Sequence, residues 1–376
     1  MFYSPVLDAW VITRHREAAA VLKDHERFSV AFHQAVASRH TPETLTLLQQ
    51  SPITGRPLVR LDPPELTRHR KILSRTLSAQ RTAALETRVR RLSTRLIDDL
   101  QPLGRADFVT AFARPFPGLV IGSLLDLPEA DFPKVAAWSG DRTALMYGEA
   151  APDEQPALAR GSLALEHYVL DLVERRSRAL GDDLASDLIR AAGDEAAMTI
   201  MEAAATLRML IDGGYQTTTL VLGSTILRLL SDRQLWEEIV THPDHIPAVI
   251  EEELRLDGPA TSTMRRAKQP VEVGGVTIPE GALVQVMLSS ANRDEANCPN
   301  GETYDHTRQP TAQHLSFGYG AHFCIGAALA RLELRIALEQ LAERLPSLRM
   351  TPDQTVPYGK SLLMRGPGRL LVEWDD

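Results

Sequence analysis

The sequence predicts a mainly α-helical protein with small β-sheets. Three long segments, 65–100, 133–180 and 195–256, place apolar residues three and four positions apart between polar faces, a spacing typical of amphipathic helices. Strand patterns occur in two short regions. Residues 2–13 hold aromatic and β-branched residues around turn formers and predict a β-hairpin, and residues 271–288 place β-branched residues around glycine-containing turns.

The remaining elements complete a chain without an obvious break. A short helix is predicted over 17–22 and a last long helix over about 325–345, where Pro346 stops it. Residues 292–316 are rich in turn formers, and so long a loop in a compact domain is usually functional. Since no Pro/Gly/Ser-rich linker divides the chain, we expect residues 1–376 to form a single domain.

Composition and charge exclude several classes of protein. The chain is 44% hydrophobic and 24% charged, as in ordinary soluble proteins, and its formal charge of -8 disfavours nucleic acid as a partner. No uncharged apolar run is long enough to predict a membrane span. The start, Met1 to Pro5, lacks the pattern of a signal peptide, and two cysteines cannot build a disulfide framework, so a cytoplasmic location is expected.

One segment stands directly before the last predicted helix and carries the chemistry. It reads Phe317-Gly318-Tyr319-Gly320-Ala321-His322-Phe323-Cys324-Ile325-Gly326. A thiol at a helix N-terminus faces unpaired N–H groups and the positive end of the helix dipole, which favours the thiolate, and a thiolate can ligate iron. Gly318, Gly320 and Gly326 allow tight turns and close approach to a planar ring, Phe317 can exclude water near the sulfur, and His322 can donate to a haem propionate.

A lone cysteine also permits two other interpretations. A lone cysteine without context is most often a small buried hydrophobic residue. A zinc site built from Cys324 with His306, His314 and His322 fails on spacing, because no close pair of ligands lies on a recognisable knuckle or helix face. The surrounding segment therefore favours iron ligation.

The segment resembles the haem-binding signature of the cytochrome P-450 superfamily, of the soluble bacterial kind, and the resemblance extends from Phe2 to Trp374. It implies the cytochrome P-450 fold, a single triangular helical domain enclosing haem b, with Cys324 as the iron ligand. Glu252 and Arg255, three apart on a predicted helix, match the family's E-x-x-R motif. With Arg308 they would form its buried structural triad.

The resemblance also implies how the haem is held. Arg70, Arg265 and His322 match the positions that bind the propionates, while Phe317, Gly318 and Gly326 belong to the cofactor-binding loop. Buried carboxylates need such cationic or hydrogen-bonding donors. The segment entering the helix that contains Arg70 departs from the family at Leu66, which stands where a histidine is usual, so one propionate contact is in question.

The helix containing Gly213-Gly214-Tyr215-Gln216-Thr217-Thr218 resembles the family's central helix. The resemblance implies that this helix lies on the side of the haem where dioxygen binds. We expect a local widening at the glycine pair and a role for the Thr217 hydroxyl in oxygen activation. Gln216 replaces the usual acid, and an amide orients water but cannot relay a proton by ionising. Asp212 either contacts a basic or hydroxyl-bearing substrate, partly replaces that acid, or is a satisfied polar residue of the helix.

The resemblance implies electron supply from a separate acidic ferredoxin or flavodoxin and its reductase, so NAD(P)H acts only indirectly. A basic stretch would dock that partner: Arg68, Arg70, Lys71, Arg75, Arg81, Arg88, Arg90, Arg91 and Arg95. The leading hypothesis is a monomeric monooxygenase that hydroxylates or epoxidises a small organic molecule, with secondary metabolism as a plausible setting. The alternatives are oxidative coupling, cyclisation, dealkylation or peroxide-driven oxidation, and a non-catalytic haem sensor or carrier.

Overall fold

The computed structural model describes residues 1–32, 40–148, 150–193, 197–308, 313–359, 361 and 363–375. Helices dominate these residues and the sheets are small, which confirms the predicted fold class. The helices are α1 (His15–Lys23), α2 (Pro42–Leu48), α3 (Glu65–Thr76), α4 (Ala79–Ala84), α5 (Glu86–Leu100), α6 (Pro115–Leu124), α7 (Phe132–Tyr147), α8 (Gln155–Arg178), α9 (Leu184–Ala192), α10 (Ile200–Ser231), α11 (Arg233–Thr241), α12 (Ile246–Asp257), α13 (Leu288–Ala291) and α14 (Ala327–Arg344).

The strands are β1 (Phe2–Ser4), β2 (Ala9–Ile12), β3 (Phe28–Ser29), β4 (Arg105–Asp107), β5 (Ser262–Ala267), β6 (Val271–Val273), β7 (Val276–Ile278), β8 (Leu283–Met287), β9 (Arg349–Met350) and β10 (Leu371–Glu373). Within the described residues the largest sheet has the order β1-β2-β8-β5-β3, and smaller sheets join β4-β10-β9 and β6-β7. The pair β1-β2 is antiparallel, as the predicted hairpin requires, whereas β2 runs parallel to β8 with Ile12 opposite Val286.

The long helical segments expected from the sequence are each interrupted. Residues 65–100 form α3, α4 and α5, and residues 133–180 form α7 and α8. The apolar spacing continues across the breaks between these helices and therefore did not predict the breaks. In the third segment Asp232 ends α10 and caps α11, its side chain accepting a hydrogen bond from the backbone N–H of Gln234. Pro243 separates α11 from α12. Glu195, where the third segment was predicted to begin, lies outside the described residues.

Contacts divide the chain into two compact units. The first unit comprises residues 1–29, 79–117 and 217–376, and the second comprises residues 30–78 and 118–216. Their sequence boundary falls inside α10, between Gln216 and Thr217. No helix of the described residues is long and apolar enough to cross a membrane.

The core of the first unit explains where the cysteine segment lies. Val284 and Val286 of β8 are fully buried with Phe28 and with Val21 of α1. Leu315 belongs to the same buried cluster, and Tyr319 packs against it half-buried. Burial contributes about 25 cal/mol for each Å² of apolar surface removed from water. The residues leading into Cys324 are therefore fixed by the sheet and α1.

The second unit is built from helix pairs. Tyr168 of α8 packs on Trp138 of α7 with ring centroids 6.1 Å apart, and its hydroxyl donates to Asp131 at 2.9 Å. The Thr76 hydroxyl at the end of α3 donates to Asp187 of α9 at 3.1 Å. Leu66, in the family's histidine position, is fully buried in α3. It therefore serves the core of this unit.

Candidate active site

The cysteine segment is a closed loop that ends at a helix N-terminus. The backbone N–H of Cys324 donates to the carbonyl of Phe317 at 2.8 Å, and the N–H of Gly318 donates to the carbonyl of Leu315 at 2.8 Å. The last helix begins at Ala327, two residues later than expected. The Cys324 thiol is exposed at this positive helix end, where the helix dipole favours a thiolate.

Glycines give the loop its shape. Gly318 and Gly320 have φ of 71° and 70°, a region that other residues adopt only with strain. A Cβ on Gly320 would lie 2.9 Å from the Lys23 Cα, so this glycine also admits the end of α1. A Cβ on Gly326 would lie 3.9 Å from the Cys324 Sγ. The absence of side chains keeps the surroundings of the sulfur open.

A charged cluster behind the loop was not foreseen from the sequence. The guanidinium of Arg331, two turns along the last helix from Cys324, lies 4.5 Å from the centroid of the Phe317 ring. Arg331 also donates to both oxygens of Glu251, at 2.5 and 2.8 Å, and His314 contacts Glu251 at 3.2 Å. The His314 ring lies 5.8 Å from the Phe317 ring. The ring of the loop phenylalanine thus lies close to two members of one ionic cluster.

The electrostatics of this cluster are strong. Partial burial would raise the pKa of Glu251, but the hydrogen bonds from Arg331 and His314 outweigh it and lower that pKa to about 2. The same hydrogen bonds to Glu251 raise the pKa of Arg331, and the nearby Cys324 side chain adds to this effect. Arg331 is therefore a permanent cation close to the thiol.

The predicted triad is brought together in the first unit. Glu252 and Arg255 form a bidentate pair with two N–O distances of 2.8 Å, and both side chains are buried. The Arg308 Nε lies 3.6 Å from the Glu252 Oε1, which also accepts the backbone N–H of Asp305 at 2.9 Å. Arg255 donates further to the carbonyls of Asn292, Gly301 and Thr303. The pair therefore pins the turn-rich segment 292–308 to α12.

The predicted propionate donors lie on three elements. Arg265 is buried on β5, where it donates to the carbonyl of Met264 at 2.8 Å and to the Thr263 hydroxyl at 3.3 Å. His322 is half-buried in the turn preceding Cys324. Arg70 is half-buried on α3, in the second unit.

The residues of the first unit fit a haem. Its cysteine loop offers a soft sulfur ligand at an electropositive helix end, and the glycines leave space beside it. A buried guanidinium and an imidazole supply donors of the kind that carboxylates need. This donor set suits an iron porphyrin with acidic side groups.

The glycine pair lies inside α10. The helix is continuous through Gly213 and Gly214, and the local widening there stays a prediction. A Cβ on Gly214 would lie 3.1 Å from the side chain of Ile121, and one on Gly213 would meet no described atom within 4 Å. Close packing against Ile121 explains the second glycine. Gly213, one position after Asp212, is exposed.

Asp212 has protein partners. Its carboxylate accepts hydrogen bonds from the Ser139 hydroxyl at 2.8 Å and from the Arg142 Nε at 3.0 Å. Arg142 also forms an ion pair with Glu166, which in turn pairs with Arg208. Burial raises the pKa of Asp212, while Arg142 and Ser139 oppose this rise. Signs alternate along the chain of charges, so the network joins α7, α8 and α10 with little net charge.

Gln216 and Thr217 lie one turn further along α10, both half-buried. The Gln216 amide nitrogen faces α7, since it would lie 3.7 Å from a Cβ on Gly140. Thr217 begins the last segment of the first unit. The structure therefore gives Gln216 and Asp212 the same neighbour, α7.

Part of the basic stretch is occupied by ion pairs. Arg90 of α5 pairs with Glu86 at 2.9 Å and with Glu339 of α14 at 2.5 Å, and Arg335 contacts the same two carboxylates at 2.8 and 3.0 Å. In the second unit Arg68 lies 3.8 Å from Glu202. Arg90 thus joins helices and is not an uncompensated docking charge.

Known proteins match this chain along its length. The family model described as Cytochrome P-450 matches residues 164–372. Mycinamicin IV hydroxylase/epoxidase from Micromonospora griseorubida is 34% identical over 98% of this chain and 90% of the relative. The 6-deoxyerythronolide B hydroxylase from Saccharopolyspora erythraea is 33% identical over 98% of this chain and 91% of its own.

Solved structures agree. Cytochrome P-450 CREJ in complex with (4-ethylphenyl) dihydrogen phosphate superimposes with a TM-score of 0.94 and 30% identity, covering 100% of this chain and 94% of its own. The match to the family model covers more than half of the chain, and the relatives above exceed 30% identity over nearly all of it. The chain belongs to the cytochrome P-450 family and is a haem-thiolate monooxygenase.

Proposed function

We propose that this monooxygenase hydroxylates or epoxidises a small organic molecule of secondary metabolism, using a haem b bound by Cys324. The observation that best supports this proposal is the exposed Cys324 thiol on its closed loop at the N-terminus of α14. The names of two relatives give mycinamicin IV and 6-deoxyerythronolide B as their substrates. These names support a natural-product substrate without identifying it.

The bound haem would supply oxygen activation at its iron, and the protein would hold and tune it. Cys324 would donate the thiolate, with N–H groups at the start of α14 tempering its charge. Arg265, His322 and Arg70 would bind the propionates, and Phe317, Gly318 and Gly326 would shape the loop around the ring. Glu252, Arg255 and Arg308 would keep the turn-rich segment in place.

On α10 the residues would act on protons and on substrate. The Thr217 hydroxyl would donate and accept hydrogen bonds at the reacting oxygen. Gln216 would orient a water molecule, since its amide does not ionise in the physiological range. Asp212 would act chiefly by holding α7 against α10, because Ser139 and Arg142 already occupy its carboxylate. Substrate would then be recognised by neighbouring residues on these helices.

Electrons would come from a separate acidic ferredoxin or flavodoxin with its NAD(P)H-dependent reductase. The basic stretch would form the docking surface, in which Arg90 is already paired with Glu86 and Glu339 and Arg68 lies 3.8 Å from Glu202. We further propose that residues 1–376 act as one haem domain, as a monomer in the cytoplasm.

The first experiment is the carbon monoxide difference spectrum of the dithionite-reduced protein. Wild-type protein and a Cys298→Ala control should show the strongly red-shifted Soret band of a thiolate ligand, since Cys298 is buried outside the loop. Cys324→Ala should lose the band while retaining its helical circular dichroism. A red-shifted band in folded Cys324→Ala protein would refute the ligand assignment.

Gln216 supports a second candidate function, in which the same haem drives oxidative coupling, cyclisation, dealkylation or peroxide-driven oxidation. These reactions depend differently on an acid beside Thr217. Turnover under isotopically labelled dioxygen with surrogate ferredoxin partners separates the two. Label in a product that keeps all the carbon atoms of the substrate supports hydroxylation or epoxidation. Loss of a carbonyl fragment supports dealkylation, and an oxidised product without label supports coupling, cyclisation or peroxide chemistry.

A further inference from the structure

Three metal-ligating side chains converge in the first unit, away from the cysteine loop in sequence. Glu238 comes from α11, His245 from the turn before α12, and His306 from the turn-rich segment that follows β8. The Glu238 Oε1 lies 2.7 Å from the His245 Nδ1 and 2.9 Å from the His306 Nε2. The three ligand atoms all lie within 4.8 Å of one another. One point in space is thus within reach of all three.

The donor chemistry fits a divalent transition metal. Two imidazoles and one carboxylate are a common ligand set of zinc sites that keep one position open. Zinc–ligand bonds of about 2.0–2.2 Å place tetrahedral ligand atoms about 3.4 Å apart. To reach that spacing, the contact of the Glu238 Oε1 with His245 would open by about 0.7 Å and the contact with His306 by about 0.5 Å. His245 can move because its side chain is 42% exposed.

The surroundings define the remaining shape of the site. The His306 side chain is only 9% exposed, which anchors one ligand, and its ring lies 6.2 Å from the Tyr304 ring. His242 stacks on His245 with centroids 5.4 Å apart and gives that imidazole an aromatic support. The partly exposed side of the cluster leaves the fourth position to water.

We propose that Glu238, His245 and His306 bind one zinc-type divalent ion, which fastens α11 and the start of α12 to the turn-rich segment. His306 follows Asp305, whose N–H donates to Glu252, and precedes Arg308 by two residues. An ion at His306 therefore restrains the segment that brings Asp305 and Arg308 to Glu252. Its role is structural, because its ligands are separate from the cysteine loop and its charged cluster.

The test uses the haem-loaded protein, in which Cys324 would be occupied by iron. Chelator-treated protein is incubated with zinc chloride, passed through gel filtration and analysed for metal. Wild-type protein is expected to retain about one zinc per chain and to melt at a higher temperature with zinc than without. Glu238→Gln, His245→Gln and His306→Gln should each bind zinc at least about tenfold more weakly, because even second-shell partners contribute about 10- to 100-fold.

The matched control is His167→Gln, an exposed histidine of α8 that should leave zinc binding unchanged. Thermal melting without zinc checks that each variant folds. If one variant does not fold, the other two still test the site. The proposal is overturned if wild-type protein retains no zinc. It is equally overturned if folded variants retain as much zinc as wild type, which would indicate adventitious surface binding.

Discussion

Asp212 and Arg142 form a 3.0 Å ion pair between α10 and α7, the two helices that also face each other at Gln216 and Gly140. Arg142 also pairs with Glu166, and the Glu166 carboxylate is shared between the guanidinium groups of Arg142 and Arg208. Breaking the network at Asp212 leaves Arg142 with Glu166 as its remaining carboxylate.

Asp212→Asn should therefore lower the free energy of unfolding by about 1.5–3 kcal/mol, the usual contribution of a hydrogen bond to a charged group. Urea denaturation followed by circular dichroism measures it, with the exposed Asp153→Asn as the control. Substrate affinity should change less than stability. A variant that unfolds like wild type but binds substrate much more weakly would instead assign Asp212 to substrate recognition.

Glu253 of α12 should make the protein less stable as the pH rises. Burial raises its pKa from the ordinary 4.5 to about 8, although Arg228 opposes the rise. The folded state therefore holds a proton that the unfolded state releases above about pH 4.5. Its stabilisation is complete below that value and is lost as the pH rises through about 8, on the order of 1 kcal/mol per pH unit.

Glu253→Gln should flatten this dependence between pH 5 and 8, whereas the exposed Glu237→Gln should leave it unchanged. Urea denaturation at a series of pH values tests both variants. Parallel pH profiles for wild type and Glu253→Gln would contradict the assignment.

Arg331→Gln should weaken both contacts that Arg331 makes. Loss of the cation–π contact to Phe317 should cost about 0.5–2 kcal/mol of stability. The pKa of Glu251, now about 2, should move up toward its ordinary value of 4.5. In the wild type this depressed pKa contributes stability that is present above pH 4.5 and is lost as the pH falls through about 2.

The variant should thus be less stable than wild type by its full deficit above about pH 4.5, the difference should narrow as the pH falls toward 2, and Arg331→Lys should recover part of it. Acid titration followed by fluorescence and circular dichroism measures the midpoint. The reduction potential of the haem-loaded protein should also shift, since Arg331 is a cation near the thiol. An unchanged potential and acid midpoint would show that the cluster behind Phe317 is inert.

Gly320→Ala should destabilise the protein more than Gly275→Ala. Both glycines have positive φ, 70° and 79°, so each alanine carries a similar backbone cost of about 1–2 kcal/mol. A Cβ on Gly275 meets no described atom within 4 Å, whereas one on Gly320 meets the backbone of α1 at 2.9 Å. Thermal midpoints of the two variants compare the costs. Equal midpoints would mean that α1 yields without cost.

Local patterns in the sequence predicted those parts of the site that are local in the chain. Cys324 with its glycines and the i, i+3 pair Glu252–Arg255 are spaced within a few residues, so their geometry follows from a turn or a helix. The fold class followed from apolar periodicity and from a resemblance along the whole chain. Neither feature required knowledge of tertiary contacts.

The missed features depend on residues far apart in sequence. Arg142 lies 70 positions before Asp212, and Arg331 lies 80 positions after Glu251. Periodicity shows which face of a helix is apolar but not which charged residue of another helix will face it. The glycine pair of α10 shows the same limit. The glycine pair could mark either a break or a close neighbour, and Ile121 shows that Gly214 has a close neighbour.

The parallel pairing of β2 with β8 has a consequence for synthesis of the chain. Ile12 emerges from the ribosome 274 residues before its partner Val286, and Phe28 meets Ala267 across a similar separation. The β2 edge of the N-terminal hairpin therefore stays unpaired while most of the chain is synthesised. Exposed strand edges can pair with other molecules and cause aggregation. We expect nascent chains ending before residue 262 to depend on chaperones, and a large loop-closure entropy to slow the joining of the two ends.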